Sequence, residues 1–113
     1  MKIEIYIPKW NGEKLEVSNS GYIEMDTFDR DKCWELCNWG AYADKKPEEV
    51  HSEISGCSTD ICFYDSDSNI YHLPESIGWK EVDSLEKVIE IWNTQKMTVA
   101  ICKLAYAYNK SHN

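Results

Sequence analysis

The residues of this chain that could bind a metal ion or act as nucleophiles are its cysteines and histidines. Six of them could be arranged around a zinc ion: Cys33, Cys37, Cys57, Cys62, His51 and His72. The C-x₂-C pairing that is typical of structural zinc sites is missing, however. A cysteine beside a histidine could also serve as a nucleophile, but spacing along the chain does not establish such a pair. We therefore expect reduced thiols that pack as small apolar side chains, with no bound metal or cofactor.

A second candidate metal site is the run Asp65-Ser66-Asp67-Ser68-Asn69, which begins like a calcium-binding loop. Ile70 occupies the sixth position, where such a loop needs glycine, and Ser76 replaces the glutamate of the twelfth. Asp, Ser and Asn are also the residues that tight turns favour. We interpret this run as an acidic turn. The chain contains no phosphate-binding glycine loop and no nucleophile-elbow motif, so we predict that it is not an enzyme.

The strands predicted from alternation are short. Ile3, Ile5 and Ile7 share one face of a first strand, and Asn11-Gly12 predicts the hairpin that returns through Leu15 and Val17. After a polar loop over 18–21, a third strand over 22–25 would complete a meander. The stretches 61–64 and 70–73 predict a second hairpin around the acidic turn.

Helical spacing appears in four stretches. One helix begins near Asp29 and carries Cys33 and Cys37, and a short one follows Pro47 over 48–54. The clearest helix begins at Asp83 and carries an apolar stripe that ends at Trp92. The stretch 97–108 fits either a helix or a strand, and its alanines favour the helix. We predict a single α+β domain over 1–113, with helices packed on one face of a small antiparallel sheet.

The charge of the chain is distributed unevenly. The net charge is −8, and eleven acidic residues against two lysines give −9 to residues 48–90 alone. This balance disfavours direct binding to nucleic acid or to an anionic membrane. No apolar run approaches the roughly 18 residues of a transmembrane helix, and the acidic, strand-like start is not typical of a signal peptide. We expect a cytoplasmic protein whose carboxylates attract a basic partner.

The order of elements resembles the ArdA family of antirestriction proteins. The resemblance rests on Trp10-Asn11-Gly12-Glu13-Lys14-Leu15 followed by Gly21-Tyr22-Ile23, on Phe63-Tyr64-Asp65-Ser66-Asp67, and on the Leu- and Trp-containing stretch 84–92. It covers residues 3–95 as an order of elements. Members of that family are acidic proteins of mobile elements that imitate DNA and inhibit type I restriction–modification enzymes. The resemblance therefore implies an anti-defence role, and a one-domain relative could present a long DNA-like surface only as an oligomer such as a homodimer.

We accordingly predict a DNA mimic that occupies the nucleic-acid cleft of a restriction or CRISPR nuclease. The acids expected to contact the partner lie in turns and on the outer helix face: Asp60, Asp65, Asp67, Glu75, Glu81, Asp83, Glu86 and Glu90. Two alternatives remain open, an immunity protein that neutralises a nuclease toxin and a non-catalytic interaction module whose acids serve solubility. Trp10, Trp34, Trp39 and Trp79 include candidates for exposed interface anchors.

Overall fold

Six antiparallel strands form one sheet in the order β3-β2-β1-β4-β5-β6. A computed structural model describes residues 1–41 and 43–95. The strands are β1 (Lys2–Trp10), β2 (Leu15–Glu24), β3 (Val50–His51), β4 (Cys62–Asp65), β5 (Ile70–Pro74) and β6 (Trp79–Val82). Helix α1 spans Arg30–Cys37, a 3-10 turn spans Trp39–Ala41, and helix α2 runs from residue 85 through residue 95. The predicted α+β fold is confirmed. The predictions for 97–108 and for Cys102 lie outside the described residues.

The two helices lie on opposite faces of the sheet, so the prediction that they share one face is wrong. Side chains of consecutive strand residues point to opposite faces. In β4, Phe63 packs in the cluster that includes Cys33 of α1, whereas Cys62 packs with Val88 and Trp92 of α2. All five of these side chains are at most 1% exposed. Each face therefore has its own buried core.

A bulge in β2 allows this strand to contribute to both cores. The β1–β2 register shifts between Ile5 and Tyr6, which pair with Gly21 and Asn19, so that Ser20 is an extra residue. Ile23 therefore packs on the α1 side, whereas Leu15, eight residues earlier, packs on the α2 side. A regular strand would place both on the same face, since the side-chain period is two. The predicted polar loop over 18–21 is in fact this bulged part of one continuous strand.

The backbone at the bulge requires glycine. Gly21 has a φ of +114°, and an added Cβ would lie 2.0 Å from the carbonyl oxygen of His51 in β3. The Gly21 N–H donates to Oδ1 of Asn19 at 2.8 Å. This bond satisfies a backbone donor that the bulge removes from the regular hydrogen bonding between β1 and β2. The same close approach brings β3 alongside β2, where Tyr22 pairs with His51.

Two other segments differ from the sequence-based prediction. Residues 48–54 were expected to be helical because Pro47 is favoured at the first position of a helix, but Val50 is buried in β3 opposite Ile23. None of the elements predicted from the sequence includes Trp79, which begins β6, where it pairs with Pro74. In both cases pairing with a neighbouring strand overrides the local pattern.

The helix starts follow ordinary capping rules. Oδ1 of Asp29 accepts from the Lys32 N–H at 3.1 Å, which confirms the predicted start of α1. At α2 the cap is Ser84, whose Oγ accepts from the Lys87 N–H at 3.2 Å, one residue later than predicted. Asp83 instead pairs with the Lys87 ammonium at 2.7 Å. Neither helix in the described part is both long and apolar enough to cross a membrane.

The bulge predicts different costs for two glycine substitutions. Gly12 in the β1–β2 loop also has a positive φ, of 98°, but nothing lies within 4 Å of an added Cβ. Gly12→Ala should lower the free energy of unfolding by about 1–2 kcal/mol through backbone strain alone. Gly21→Ala should cost about 1–3 kcal/mol more, because its methyl group meets the His51 carbonyl. Urea denaturation of both variants measures the difference, and equal losses would contradict the steric role of the bulge.

Candidate functional site

The surface of the described residues is strongly acidic. All twenty Asp and Glu residues of the chain lie in this part, together with nine of its twelve Lys and Arg residues, which gives it a net charge of −11. Eighteen of the twenty acidic residues are exposed; only Glu4 and Asp65 are not. This excess of exposed carboxylates over cations gives the surface a negative potential.

The eight acids predicted to contact a partner do not form one row. We call the end of the sheet that carries the β4–β5 turn (66–69) the turn end. The opposite end carries the β1–β2 loop (11–14) and the β5–β6 loop (75–78), and we call it the hairpin end. The acids lie at the turn end (Asp65, Asp67 and Asp83), at the hairpin end (Asp60 and Glu75), on the α1 face (Glu81) and on α2 (Glu86 and Glu90).

Asp65 differs from the other seven because it is buried, with 9% of its surface exposed. Its Oδ1 accepts from the Asp67 N–H at 3.1 Å and its Oδ2 from the Ser68 hydroxyl at 2.8 Å. Asn69 closes the turn with a φ of 61° and an N–H bond to the Asp65 carbonyl. Asp65 therefore stabilises the turn, which agrees with its interpretation as a turn and not as a calcium loop. Its buried carboxylate is therefore poorly accessible to a partner.

Glu81 belongs to a network on the α1 side of β5 and β6. Arg30 Nη1 lies 3.5 Å from Glu81 Oε1 and 3.4 Å from His72 Nδ1. The guanidinium also lies over the ring of Trp79, 5.4 Å from its centroid, and the Trp79 indole N–H donates to Asp31 at 2.9 Å. The network thus joins α1 to the edge strand β6 through charge and aromatic contacts.

His72 is the buried member of this network. Desolvation lowers its pKa from the ordinary value of 6.5, and the Arg30 charge acts in the same direction. The carboxylates of Glu81 and Asp65 oppose that shift but do not cancel it. A neutral imidazole can accept from Arg30 through Nδ1, which agrees with the 3.4 Å separation.

The cysteines are placed as apolar side chains. Cys33, Cys37 and Cys62 are fully buried, and Cys57 is half-buried. Burial raises the thiol pKa of Cys33 and Cys62 to about 12 and that of Cys57 to about 11, and it raises that of Cys37 further. No three His, Cys, Asp or Glu residues of the described part come together as metal ligands. The candidate zinc set is therefore not assembled there.

Two exposed apolar side chains at the hairpin end complete the candidate surface. Trp10 is 63% exposed and Ile77 is 93% exposed. The expectation of an exposed tryptophan is confirmed at Trp10, but Ile77 did not emerge from the sequence. The signal available there was an apolar residue directly before a turn glycine, Gly78, which has a φ of 83°.

Comparisons of the chain with protein-family models, with curated protein sequences and with solved structures find no match. The acidic surface and the apolar side chains at the hairpin end are therefore interpreted from their own geometry.

The His72 network predicts a pH dependence of stability. The unfolded chain takes up a proton near pH 6.5, whereas folded His72 resists it. The contribution of His72 to the free energy of unfolding should therefore have its full value above pH 6.5 and be lost as the pH drops through the lowered pKa. His72→Gln should remove this component between about pH 7 and pH 5. Identical slopes for wild type and His72→Gln would contradict the role of the buried imidazole.

Proposed function

We propose that this protein is a non-catalytic acidic inhibitor that binds the nucleic-acid cleft of a bacterial DNA-targeting nuclease in the cytoplasm. The observation that carries the proposal is the net charge of −11 on the described residues, with eighteen of twenty acidic side chains exposed. Such a surface complements the Lys and Arg side chains with which a nuclease grips phosphates.

The physical basis is competition for the same cations. Duplex DNA presents one negative charge per roughly 1.7 Å of its axis, so a cleft that binds it is lined with basic side chains. A protein with many exposed carboxylates is drawn to this cleft by the long-range potential before any close contact forms. It then excludes DNA by occupying the cleft, without any affinity for DNA itself.

The placement of the acids favours a broad negative surface over a strip that copies one DNA strand. Asp67 and Asp83 lie at the turn end, and Glu86 and Glu90 follow on α2. Lys87 partly offsets this group by pairing with Asp83. The proposed contact acids of the turn end and of α2 are therefore Asp67, Glu86 and Glu90, whereas buried Asp65 contributes only to the turn.

The state of the thiols supports a role in binding. The thiolate is the reactive form of cysteine, and a thiol pKa of about 11–12 leaves Cys33, Cys57 and Cys62 protonated at neutral pH. The order of elements that resembles the ArdA family makes a type I restriction enzyme the first target to test, followed by CRISPR nucleases.

The test is a DNA-cleavage assay with a purified type I restriction enzyme and a panel of CRISPR nucleases. The wild-type protein should inhibit at least one of them, excess DNA should relieve the inhibition, and rising salt should weaken it. The triple reversal Asp67→Lys, Glu86→Lys and Glu90→Lys should weaken inhibition about tenfold or more.

A matched control changes the net charge equally at other exposed acids. The triple variant Asp26→Lys, Glu35→Lys and Asp44→Lys changes acids outside residues 48–90 and should reduce inhibition much less. Equal effects of the two triple variants would show that only total charge matters and would overturn the proposed contact acids. Binding of the wild-type protein to duplex DNA, or inhibition that DNA does not relieve, would overturn occupation of the cleft.

A further inference from the structure

The hairpin end carries a grooved apolar surface that the acidic-surface proposal does not use. Among the described residues, the exposed large apolar side chains are Met1, Trp10 and Ile77, and two of these three lie at this end. Trp10 ends β1, and Ile77 lies at the tip of the β5–β6 loop. Exposed Trp and aliphatic side chains next to concave surfaces are typical anchors of protein interfaces.

The larger groove, of about 890 Å³, arises because β1 is longer than its neighbour β4. Pairing of these strands ends at Tyr6 and Cys62, so β1 continues four residues further to Trp10. The chain before β4 stands away from this extension, and Ile7, Pro8, Trp10, Leu15 and Ile54 form the apolar walls of the space between them. Pro8 has no N–H and so leaves no unsatisfied donor in this wall.

The opposite wall of the groove is held in place by side-chain hydrogen bonds. Oδ1 of the buried Asn38 accepts from the N–H groups of Cys57 at 2.9 Å and Ser58 at 3.3 Å. The Trp34 indole donates to the Ser58 carbonyl at 2.9 Å, and the Trp39 indole donates to the Ile54 carbonyl at 3.0 Å. A groove fixed in this way is preformed, so a ligand does not have to order it.

Ser58 also lines a second groove, of about 470 Å³, on the other side of the same loop. Trp34, Pro74 and Trp79 supply its apolar surface, next to the loop that exposes Ile77. The two grooves therefore share Ser58 and lie on either side of the loop that precedes β4.

The charged side chains that line the two grooves are all carboxylates. Carboxylates line both grooves, with Asp60 in the larger one and Asp31 and Glu75 in the smaller one. Among the described residues, no Lys, Arg or His side chain lines either groove. A ligand must therefore combine apolar groups for the grooves with positive charge for their edges.

We infer that the hairpin end is a docking surface for a protein segment in which apolar side chains alternate with Arg or Lys. The apolar side chains enter the two grooves beside Trp10 and Ile77, and the cations face Asp31, Asp60 and Glu75. This inference deepens the proposed function and rests on it, because it supplies the anchor by which the inhibitor holds a basic target. The anchor gives the specificity that dispersed charge lacks.

The test uses a random dodecapeptide display library as the probe. The library is selected on the wild-type protein and depleted on the double variant Trp10→Ala and Ile77→Ser, whose substituted side chains are exposed and leave both cores intact. Enriched peptides should combine Arg or Lys with aromatic or branched apolar residues. Shifts of backbone amide resonances on binding should concentrate at the residues that line the two grooves.

Single variants separate the apolar contribution to peptide binding from the electrostatic one. For the most enriched peptide, Trp10→Ala should weaken binding about tenfold or more, and Glu75→Lys should also weaken it. Asp26→Lys makes the same charge change just after β2 at the turn end, away from the grooves, and should leave binding within about twofold of wild type. No enrichment, enrichment of acidic or purely polar peptides, or resonance shifts outside the grooves would each overturn the docking surface.

The two proposals fail in different ways. If the peptides bind as expected but no nuclease is inhibited, the docking surface stands and its target is a different basic protein. If a nuclease is inhibited equally by wild type and by the double variant Trp10→Ala and Ile77→Ser, the anchor is overturned while the inhibitory function stands.

Discussion

The close approach of Gly21 to the carbonyl oxygen of His51 is the constraint on which the rest of this fold depends. It allows β2 to bulge, and the bulge reverses which face of the sheet receives the following side chains. Without that reversal, Leu15 and Ile23 would lie on one face. With it, the strand supplies one apolar side chain to each core, and the sheet can hold α1 on one side and α2 on the other.

A sheet that is covered on both faces also determines where polar groups can lie. Apolar side chains fill both faces near the helices, so fifteen of the twenty acidic residues lie in turns, in loops or on the helices, and only five lie in strands. The one acid that stays inside, Asp65, does so because the N–H of Asp67 and the hydroxyl of Ser68 satisfy both of its oxygens. The dispersed arrangement of the carboxylates is thus a consequence of the packing.

The sequence correctly predicts those elements whose pattern of apolar residues fits only one type of secondary structure. Ile3, Ile5 and Ile7 alternate in β1, and Val88 and Trp92 are spaced as on a helix, so both elements were predicted and both are confirmed. In β6, by contrast, Trp79 packs towards α1 while Val82 packs towards α2, and this two-sided burial removes the alternation that would indicate a strand. The exposure of seven predicted contact acids follows from their type, but their distribution between the two ends depends on strand pairing that no local pattern encodes.

Charge and shape make different contributions to recognition by such a molecule. Exposed carboxylates act mainly on the rate of encounter and are screened by salt within about 10 Å at 0.1 M. They attract any basic cleft and distinguish poorly between one target and another. Desolvated apolar contacts in preformed grooves act on the rate of dissociation and depend on shape.

A protein with exposed carboxylates over its whole surface and apolar grooves only at the hairpin end would encounter many basic proteins but retain few of them. Because Asn38 holds the groove wall through the backbone of Cys57 and Ser58, that selectivity depends on the integrity of the α1 core. Under the proposed function, the residues that stabilise the fold would therefore also determine which partner the acidic surface retains.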